Sequence, residues 1–241
     1  MLEFSDKIKH CYTLKPLDFN IGDMESVKKD YEKICTSLNL NLRNIYRPSQ
    51  THSTNIKCVD DQIPGIYTPE FQETDGLITD KQNKVLSLTF ADCICLYFYD
   101  PIQNVIACIH SGWKGTYGEI AKNAVRILKT EYNVEPKNLI CCISPSIRDC
   151  CFEVSEDVKD MFYEKFKGFK EIKDIIKKSE DNNKYYIDTV LINKVILKKE
   201  GLREANIIDS GICTKCEKNK MHSYREDKEK AGRNTGIITL I

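Results

Sequence analysis

The sequence predicts an α+β fold: a single domain in which layered mixed β-sheets are flanked by helices, as in an αββα-like sandwich. Apolar strand segments and amphipathic helices follow one another irregularly, without the strict βαβ repeat of a doubly wound sheet. The Gly-x-Gly-x-x-Gly motif of dinucleotide-binding folds is absent. No linker rich in Pro, Gly or Ser divides the 241 residues, so we expect one domain over residues 1–241.

Four segments are predicted to be helical because their apolar residues recur every three or four positions. The first, residues 24–40, would bury one face formed by Met24, Val27, Tyr31, Ile34, Cys35 and Leu38. The others are residues 120–132, residues 153–166 and the second part of residues 185–202. The candidate N-caps are Asp23, Ser155 and Asp188, and the last helix is expected to stop near Gly201.

Short apolar segments rich in β-branched and aromatic residues are predicted to be strands. They cover residues 84–90, 93–99, 104–110, 138–144, the start of 185–202, and 236–241. Residues 111–119, "SGWKGTYGE", read as a turn punctuated by glycine. Asp92 and Cys93 interrupt the first two strands. A carboxylate beside such an apolar run needs a polar partner, and orienting a ligand or a loop would provide one.

Charge and cysteine content narrow the class of protein. Lys+Arg and Asp+Glu are both 36, so no basic excess exists to bind nucleic acid. No apolar run approaches the ~20 residues of a membrane span. The N-terminal "MLEFSDKIKHCYTLK" lacks the features of a signal peptide, and we therefore expect a cytoplasmic protein whose twelve cysteines are mostly reduced thiols.

Three residues form a candidate metal site. Cys93 and His110 lie 17 residues apart on consecutive predicted strands, and His52 lies in a polar loop. Imidazole and thiolate are both good zinc ligands, and three protein ligands leave a fourth position open for water or substrate, as in catalytic zinc sites. Spacing alone leaves a plainer alternative open, in which the cysteine is packing material and each histidine is a satisfied hydrogen-bonding group.

A second motif, the CxxC of Cys213 and Cys216, is weak on its own. With His222 it would give only a partial Cys₂His set, whereas a structural zinc requires four protein ligands. A structural zinc or redox module is therefore the non-enzymatic alternative for this chain.

Five motifs occur in order: "TDGLIT", "ADCICLYFYDP", "IACIHSGWKGT", "CCFEV" and "CTKCEKNKMHSYREDKEKAGRNTGII". Together they resemble the YfiH-like family, whose members are known variously as laccase-like polyphenol oxidases, purine nucleoside phosphorylases and peptidoglycan editing factors. The resemblance extends from about Gln50 to the C-terminus. It implies a single α+β domain and a zinc site on His52, Cys93 and His110, with copper as the alternative metal.

The resemblance also implies a substrate class. Family members phosphorylyse adenosine, inosine, guanosine or methylthioadenosine and deaminate adenosine, so the partners would be a purine nucleoside and phosphate. The candidate phosphate-binding residues are Arg47, Lys114, Arg225 and Arg233. Lys114 stands where the family commonly has arginine. Ser144, Arg148 and Asp149 also depart from the family pattern, whereas Cys150 and Cys151 match it. The oligomeric state is not fixed by the sequence.

Two other enzymatic hypotheses remain open. Cys93 could act as the nucleophile of a hydrolase, with His110 or His52 as its base. The substrate could instead be a peptidoglycan precursor from which a misincorporated amino acid is trimmed. A laccase mechanism fits poorly because the chain has four histidines, too few for the copper sites of a multicopper oxidase. The HxE and PCxxC signature of zinc cytidine deaminases is also absent.

Overall fold

Two β-sheets packed face to face form the centre of the structure, a computed structural model that describes residues 6–60, 71–180 and 184–241. In chain order the strands are β1 (Ile8–Tyr12), β2 (Ile45–Tyr46), β3 (Ile56–Cys58), β4 (Gly76–Thr79), β5 (Val85–Phe90), β6 (Ile94–Asp100), β7 (Val105–Ser111), β8 (Ile140–Ile143), β9 (Glu153–Ser155), β10 (Ile176–Lys178), β11 (Lys184–Ile187), β12 (Ile207–Asp209) and β13 (Asn234–Leu240). The α-helices are α1 (Met24–Leu38), α2 (Trp113–Tyr117), α3 (Ile120–Tyr132), α4 (Glu156–Phe166), α5 (Ile172–Ile175), α6 (Thr189–Lys199) and α7 (Tyr224–Asp227).

Both large sheets are mixed. The six-stranded sheet has the order β12-β8-β6-β7-β4-β3, with parallel pairs at its two edges and antiparallel pairs between them. The four-stranded sheet has the order β1-β13-β5-β2, and only its β2-β5 pair is parallel. A small antiparallel sheet, β10-β11-β9, completes the β-structure of the described residues.

Alternation along the strands produces the layers. In β6, Cys95 and Tyr97 face the four-stranded sheet, whereas Leu96 and Phe98 join the core shared with helices α3, α4 and α6. Helix α1 covers the outer face of the four-stranded sheet through Tyr31 and its apolar neighbours. The layers are therefore helix, sheet, sheet and helices, and the predicted α+β sandwich is confirmed.

Most predicted elements lie where the sequence placed them, with local differences. Asp23 caps α1 by accepting from the Ser26 N–H at 3.1 Å. Met24, predicted to be buried in that helix, is 45% exposed because it occupies the first turn, ahead of the packed stripe. Asp188 caps α6 by accepting from the Leu191 N–H at 2.8 Å.

Two boundaries were predicted wrongly. Residues 111–119 were predicted to be a turn, but Trp113–Tyr117 form a short helix. At its start the Thr116 N–H donates to the Gly112 carbonyl at 2.8 Å. The segment predicted as a helix over residues 153–166 begins as strand β9, which pairs with β11, and becomes helical only at Glu156. Ser155 occupies the N-cap position without a side-chain cap bond.

The predicted single domain over residues 1–241 includes three stretches, residues 1–5, 61–70 and 181–183, that lie outside the described residues. Within the described part of the chain, none of the helices combines the length and the apolar character needed to cross a membrane.

We expect Gly76→Ala to destabilise the fold by about 1–3 kcal/mol, the usual cost of overpacking a core. A Cβ at Gly76 would lie 2.6 Å from Ile109 Cδ1 and 2.9 Å from Ile56 Cγ1. Gly168→Ala is the matched control, since its Cβ would meet nothing within 4 Å. Urea denaturation measures both variants, and an equally stable Gly76→Ala protein would contradict this packing.

Candidate active site

The structure brings His52, Cys93 and His110 together. His52 lies in the loop after β2, Cys93 in the turn between β5 and β6, and His110 near the end of β7. Their ligand atoms all lie within 4.8 Å of one another. Cys93 Sγ is 3.8 Å from His52 Nε2, and the two imidazole rings are 4.8 Å apart, edge to face. Three segments distant in sequence thus converge on one point.

Strand register places a carboxylate behind His110. Gly76 of β4 pairs with Ile109 of β7, so Asp75 lies opposite His110. The His110 N–H donates to the Asp75 carbonyl at 2.7 Å, and Nδ1 is 2.7 Å from Asp75 Oδ1. This contact holds a proton on Nδ1 and directs Nε2 at the cluster, the usual orientation of a ligating histidine. Burial would lower the pKa of His110, but Cys93 and Asp75 raise it to about 9, so a metal that binds Nε2 would displace a proton from it.

The same carboxylate organises the loop of His52. Asp75 accepts hydrogen bonds from the backbone N–H groups of Thr51, His52 and Ser53 and from the Ser53 hydroxyl, at 2.6–3.2 Å. His52 itself has a φ of 60°, a left-handed conformation that is costly for a residue other than glycine. The bonds to Asp75 offset that cost and fix where the imidazole is presented.

Charge in the cluster favours the ligand form of Cys93. Burial alone would raise the pKa of this thiol, but the His110 charge and hydrogen bonds from His110 and His52 lower the pKa to about 6. Burial would raise the pKa of Asp75 as well, yet its bonds from His110 and Ser53 lower it to about 2. At neutral pH both groups are therefore anionic, the state that a metal ligand and its supporting carboxylate require.

The three residues fit a metal ion in space as well as in chemistry. Gly112 borders the cluster, and a Cβ at this position would lie 2.8 Å from His52 Cδ2 and 3.1 Å from Cys93 Sγ. The missing side chain leaves room beside the sulfur. Two imidazoles and one thiolate are a borderline-soft donor set, which suits Zn²⁺ and also copper.

The Asp92 carboxylate, which lies beside an apolar strand, has a hydrogen-bond donor for each of its two oxygens. Its Oδ1 accepts from the Thr214 hydroxyl at 2.6 Å, and its Oδ2 accepts from the Arg225 N–H at 2.6 Å. The residue adopts a φ of 85°, which makes the sharp turn that presents Cys93. Asp92 therefore ties the Cys93 turn to the C-terminal segment.

A cavity of about 700 Å³ opens over the cluster. His52, Cys93 and His110 all line it. Its aromatic walls come from Phe90, Trp113, Phe152 and Tyr224. Its polar groups include Gln50, Thr89, Ser111, Arg225 and Arg233. This volume lies in the range of small-molecule sites.

Of the four candidate phosphate ligands, Arg225 and Arg233 line the cavity and Arg47 and Lys114 do not. Arg225 Nη1 donates to the Glu153 carbonyl at 2.7 Å, and the guanidinium lies 5.3 Å from the Phe152 ring. Arg233 Nη1 donates to the Ala231 carbonyl at 2.7 Å.

The other two candidates lie outside the lining. Arg47 is only 4% exposed and donates to the Phe19 carbonyl at 2.7 Å, beneath α1. Lys114 Nζ lies 5.7 Å from the Trp113 ring.

The family departures at residues 144–149 also lie outside the lining. Arg148 donates to Asp209 and Ser210, and Asp149 pairs with Lys177 at 2.7 Å. Ser144 Oγ accepts from the Cys95 N–H at 2.9 Å. These residues support the loop that leads to Phe152, a cavity residue.

The family described as multi-copper polyphenol oxidoreductase laccase matches residues 9–241. The chain belongs to this family. Among its relatives, the purine nucleoside phosphorylase YlmD of Bacillus subtilis is 31% identical over 218 residues, covering 89% of this chain and 77% of that protein. A purine nucleoside phosphorylase of Clostridium acetobutylicum is 34% identical over 199 residues, covering 82% and 78%. A protein from an unknown prokaryotic organism, adenosine deaminase RL5, is 29% identical, covering 85% and 78%.

Solved structures of the family share the fold. The hypothetical protein YfiH of Bacillus licheniformis superposes with a TM-score of 0.89 at 27% identity, covering 97% of this chain and 93% of that one. YlmD of Geobacillus stearothermophilus gives a TM-score of 0.87 at 24% identity, covering 98% and 92%. The resemblance inferred from the motifs is thus confirmed.

The family description names copper, but this chain has few histidines to bind it. All four histidines lie in the described residues, and only His52 and His110 belong to a cluster that could hold a metal ion. His222 Nε2 donates to the Leu17 carbonyl at 2.9 Å, and His10 lies on β1. The histidines of this chain therefore suffice for one mononuclear His₂Cys site.

Asp75 is the site residue that the sequence analysis missed. It lies within the quoted "TDGLIT" motif but was not singled out, because an acidic residue before a strand usually reads as turn material. The signal was its position directly before the short apolar run of residues 76–78, the same pattern that singled out Asp92.

We expect Asp75→Asn to weaken metal binding about 10–100-fold, the usual effect of losing a carboxylate behind a ligating histidine. The amide removes the charge that orients His110. Asp30→Asn is the control, since Asp30 is also a buried carboxylate, bonded to the Asp18 N–H and to Lys33 but outside the cluster. Competition with a chelator measures the affinity, and equal affinities in both variants would contradict the role given to Asp75.

Proposed function

We propose that this protein is a zinc-dependent purine nucleoside phosphorylase, with adenosine deamination as a secondary activity. The observation that carries the proposal is that the His₂Cys cluster and two arginines line one cavity of nucleoside size. The names of the relatives in Bacillus subtilis and Clostridium acetobutylicum support the reaction, and adenosine deaminase RL5 supports the secondary activity.

The cavity offers a place for each part of the substrate. A purine ring is flat and apolar on its faces, and Phe90, Trp113 and Phe152 provide aromatic surface against which it can pack. Thr89 and Gln50 lie in the same lining, bonded to each other through the Thr89 hydroxyl and Gln50 Oε1 at 3.1 Å, and provide polar atoms for a ribose. The lining therefore matches an amphipathic ligand better than a purely apolar one.

Phosphate requires cations, and Arg225 and Arg233 are the arginines of the lining. Among the described contacts of Arg225, the side chain bonds to backbone carbonyls only through Nη1. Its position is thus fixed while the rest of the planar guanidinium can meet an anion bidentately. Phosphorolysis then forms the bond from a phosphate oxygen to ribose C1′ as the bond to the purine nitrogen breaks.

The residues that would hold the zinc are His52, Cys93 and His110. Bound there, zinc would act as a Lewis acid on an oxygen of a reactant and stabilise negative charge in the transition state. The chain itself keeps the Nδ1 proton of His110 on the Asp75 side, keeps Cys93 anionic and offers aromatic walls to the reactants.

The central test uses purified protein of known zinc content with adenosine or inosine. We expect free base to be released only when phosphate is present, together with ribose 1-phosphate. Conversion of adenosine to inosine without phosphate would demonstrate the deaminase activity. If neither reaction occurs in fully zinc-loaded protein, the proposal fails, and release of an amino acid from a peptidoglycan precursor becomes the assay to run.

Separate substitution of Arg225 and Arg233 by alanine tests the phosphate site. We expect the KM for phosphate to rise about 10–100-fold, because a hydrogen bond to a charged group contributes ~1.5–3 kcal/mol. Arg126→Ala, on the exposed face of α3, is the control. An unchanged phosphate KM in both cavity variants would place the phosphate elsewhere.

The lowered pKa of Cys93 beside His110 also favours a second candidate, a hydrolase with a thiolate nucleophile. We expect Cys93→Ala to lose the cavity metal and turnover together, whereas alkylation should be slow in the zinc-loaded wild type because the metal occupies the sulfur. Metal-free protein that remains active and is rapidly inactivated by iodoacetamide would support the thiol hydrolase instead.

A further inference from the structure

A second group of sulfurs lies outside the cavity lining. Cys150 and Cys151 belong to the loop between β8 and β9, and Cys213 and Cys216 follow β12. These residues, here called the four-cysteine cluster, come from segments more than 60 residues apart, as the separation of 65 between Cys151 and Cys216 shows. Their four sulfurs nevertheless all lie within 4.8 Å of one another.

The spacing of the sulfurs matches a tetrahedral metal site. The Sγ–Sγ distances are 3.7 Å for Cys150–Cys151, 3.8 Å for Cys150–Cys216 and 3.6 Å for Cys151–Cys216. A zinc ion with bonds of ~2.3 Å to four sulfurs at the corners of a tetrahedron separates those sulfurs by about 3.8 Å. An ion could therefore enter the cluster with little movement of the chain.

The backbone brings the two segments together independently of the cysteine side chains. Ser146 and Cys213 form a parallel bridge, in which the Ser146 N–H donates to Ile212 at 3.2 Å and the Thr214 N–H donates to Ser146 at 3.1 Å. This backbone pairing holds the loop of Cys150 and Cys151 beside Cys213.

Ordinary packing of thiols does not account for this cluster. Cys95 and Cys108 show what packing looks like in this protein, since their sulfurs are 3.5 Å apart and both residues are 0% exposed in the core. In the four-cysteine cluster, Cys150 and Cys216 are exposed, and only Cys213 is buried. Exposed thiols gain little from burial, so their convergence at the surface needs another cause.

We propose that Cys150, Cys151, Cys213 and Cys216 bind a second metal ion, a structural Zn²⁺ held by four thiolates. The sequence analysis combined the CxxC with His222, but the His222 ring donates to the Leu17 carbonyl, and the cluster contains no histidine. The two missing ligands are Cys150 and Cys151, which are distant in sequence. Four protein ligands close the coordination sphere, so this ion is structural and distinct from the three-ligand site of the cavity.

The second ion would support the cavity wall. Phe152 and Glu153, which follow Cys151 in the chain, line the cavity. Arg225, which follows Cys216, lines it as well. Arg225 Nη1 also reaches the carbonyls of Cys151 at 3.5 Å and Glu153 at 2.7 Å. A metal that joins the two segments would hold Arg225 at a fixed distance from the Phe152 ring.

Metal analysis of the full-length protein, purified with a phosphine reductant and dialysed, tests the proposal. We expect about two zinc ions per chain in the wild type and about one in Cys216→Ser, since loss of a ligand opens a structural site. Cys58→Ser, a change at an exposed cysteine outside the cluster, should retain both ions. Cys93→Ala should lose only the cavity ion, so failure of the proposed activity and failure of this site give different results.

Cobalt substitution of the wild type provides a measurement that needs no variant to fold. Tetrahedral Co²⁺ with four thiolates gives strong sulfur-to-cobalt charge transfer in the near ultraviolet, about fourfold that of a site with one thiolate, because the intensity scales with the number of Co–S bonds. We expect this strong band in the wild type and in Cys93→Ala.

The proposal is overturned if the wild type binds one zinc ion per chain and Cys216→Ser binds the same number. It is equally overturned if the cobalt-substituted wild type shows the charge-transfer intensity of a single thiolate. It is also overturned if the intact mass shows that two of the four cysteines form a disulfide under reducing conditions, because those sulfurs could not then ligate a metal.

Discussion

The site depends on the hydrogen bonds of one buried carboxylate, Asp75. It is 0% exposed and accepts from His110 on a central strand and from three consecutive backbone N–H groups of the His52 loop. An ionised carboxylate that deep is tolerated only if its oxygens are bonded, so the loop and the strand are held to it together. The distance between the two imidazoles is thus set by the sheet rather than by a flexible loop.

A second carboxylate, Asp92, positions the Cys93 sulfur as Asp75 positions the imidazoles. Its bonds to Thr214 and to the Arg225 N–H connect the Cys93 turn with the C-terminal segment, which passes from the four-cysteine cluster to the cavity. Because Thr214 lies between Cys213 and Cys216, the environments of the two sulfur sites are mechanically linked.

Periodicity was enough to predict the layers, because strand alternation and helical spacing are local properties of residues such as those of α1 and β6. The His52, Cys93 and His110 group could also be predicted, since the chain has only four histidines, Cys93 and His110 border apolar strands, and His52 lies in a polar loop near strand ends. The four-cysteine cluster could not be assembled, because Cys151 and Cys216 meet only through tertiary pairing of loops. Arg47 and Lys114 were equivalent to Arg225 and Arg233 by charge alone, and only the fold separates those that line the cavity.

Ligand number assigns the two sulfur-containing sites to different roles. Three ligands in the cavity lining would leave one coordination position open for a reactant. The Asp75 carboxylate orients one of the two imidazoles, that of His110. Four ligands on two surface loops, as proposed for the four-cysteine cluster, would leave no such position. If both proposed ions are bound, a chelator that strips them would remove a Lewis acid from the proposed reaction and loosen the wall that carries Arg225. The proposed function therefore depends on the rigidity of the cavity wall as well as on the open position of the proposed cavity metal.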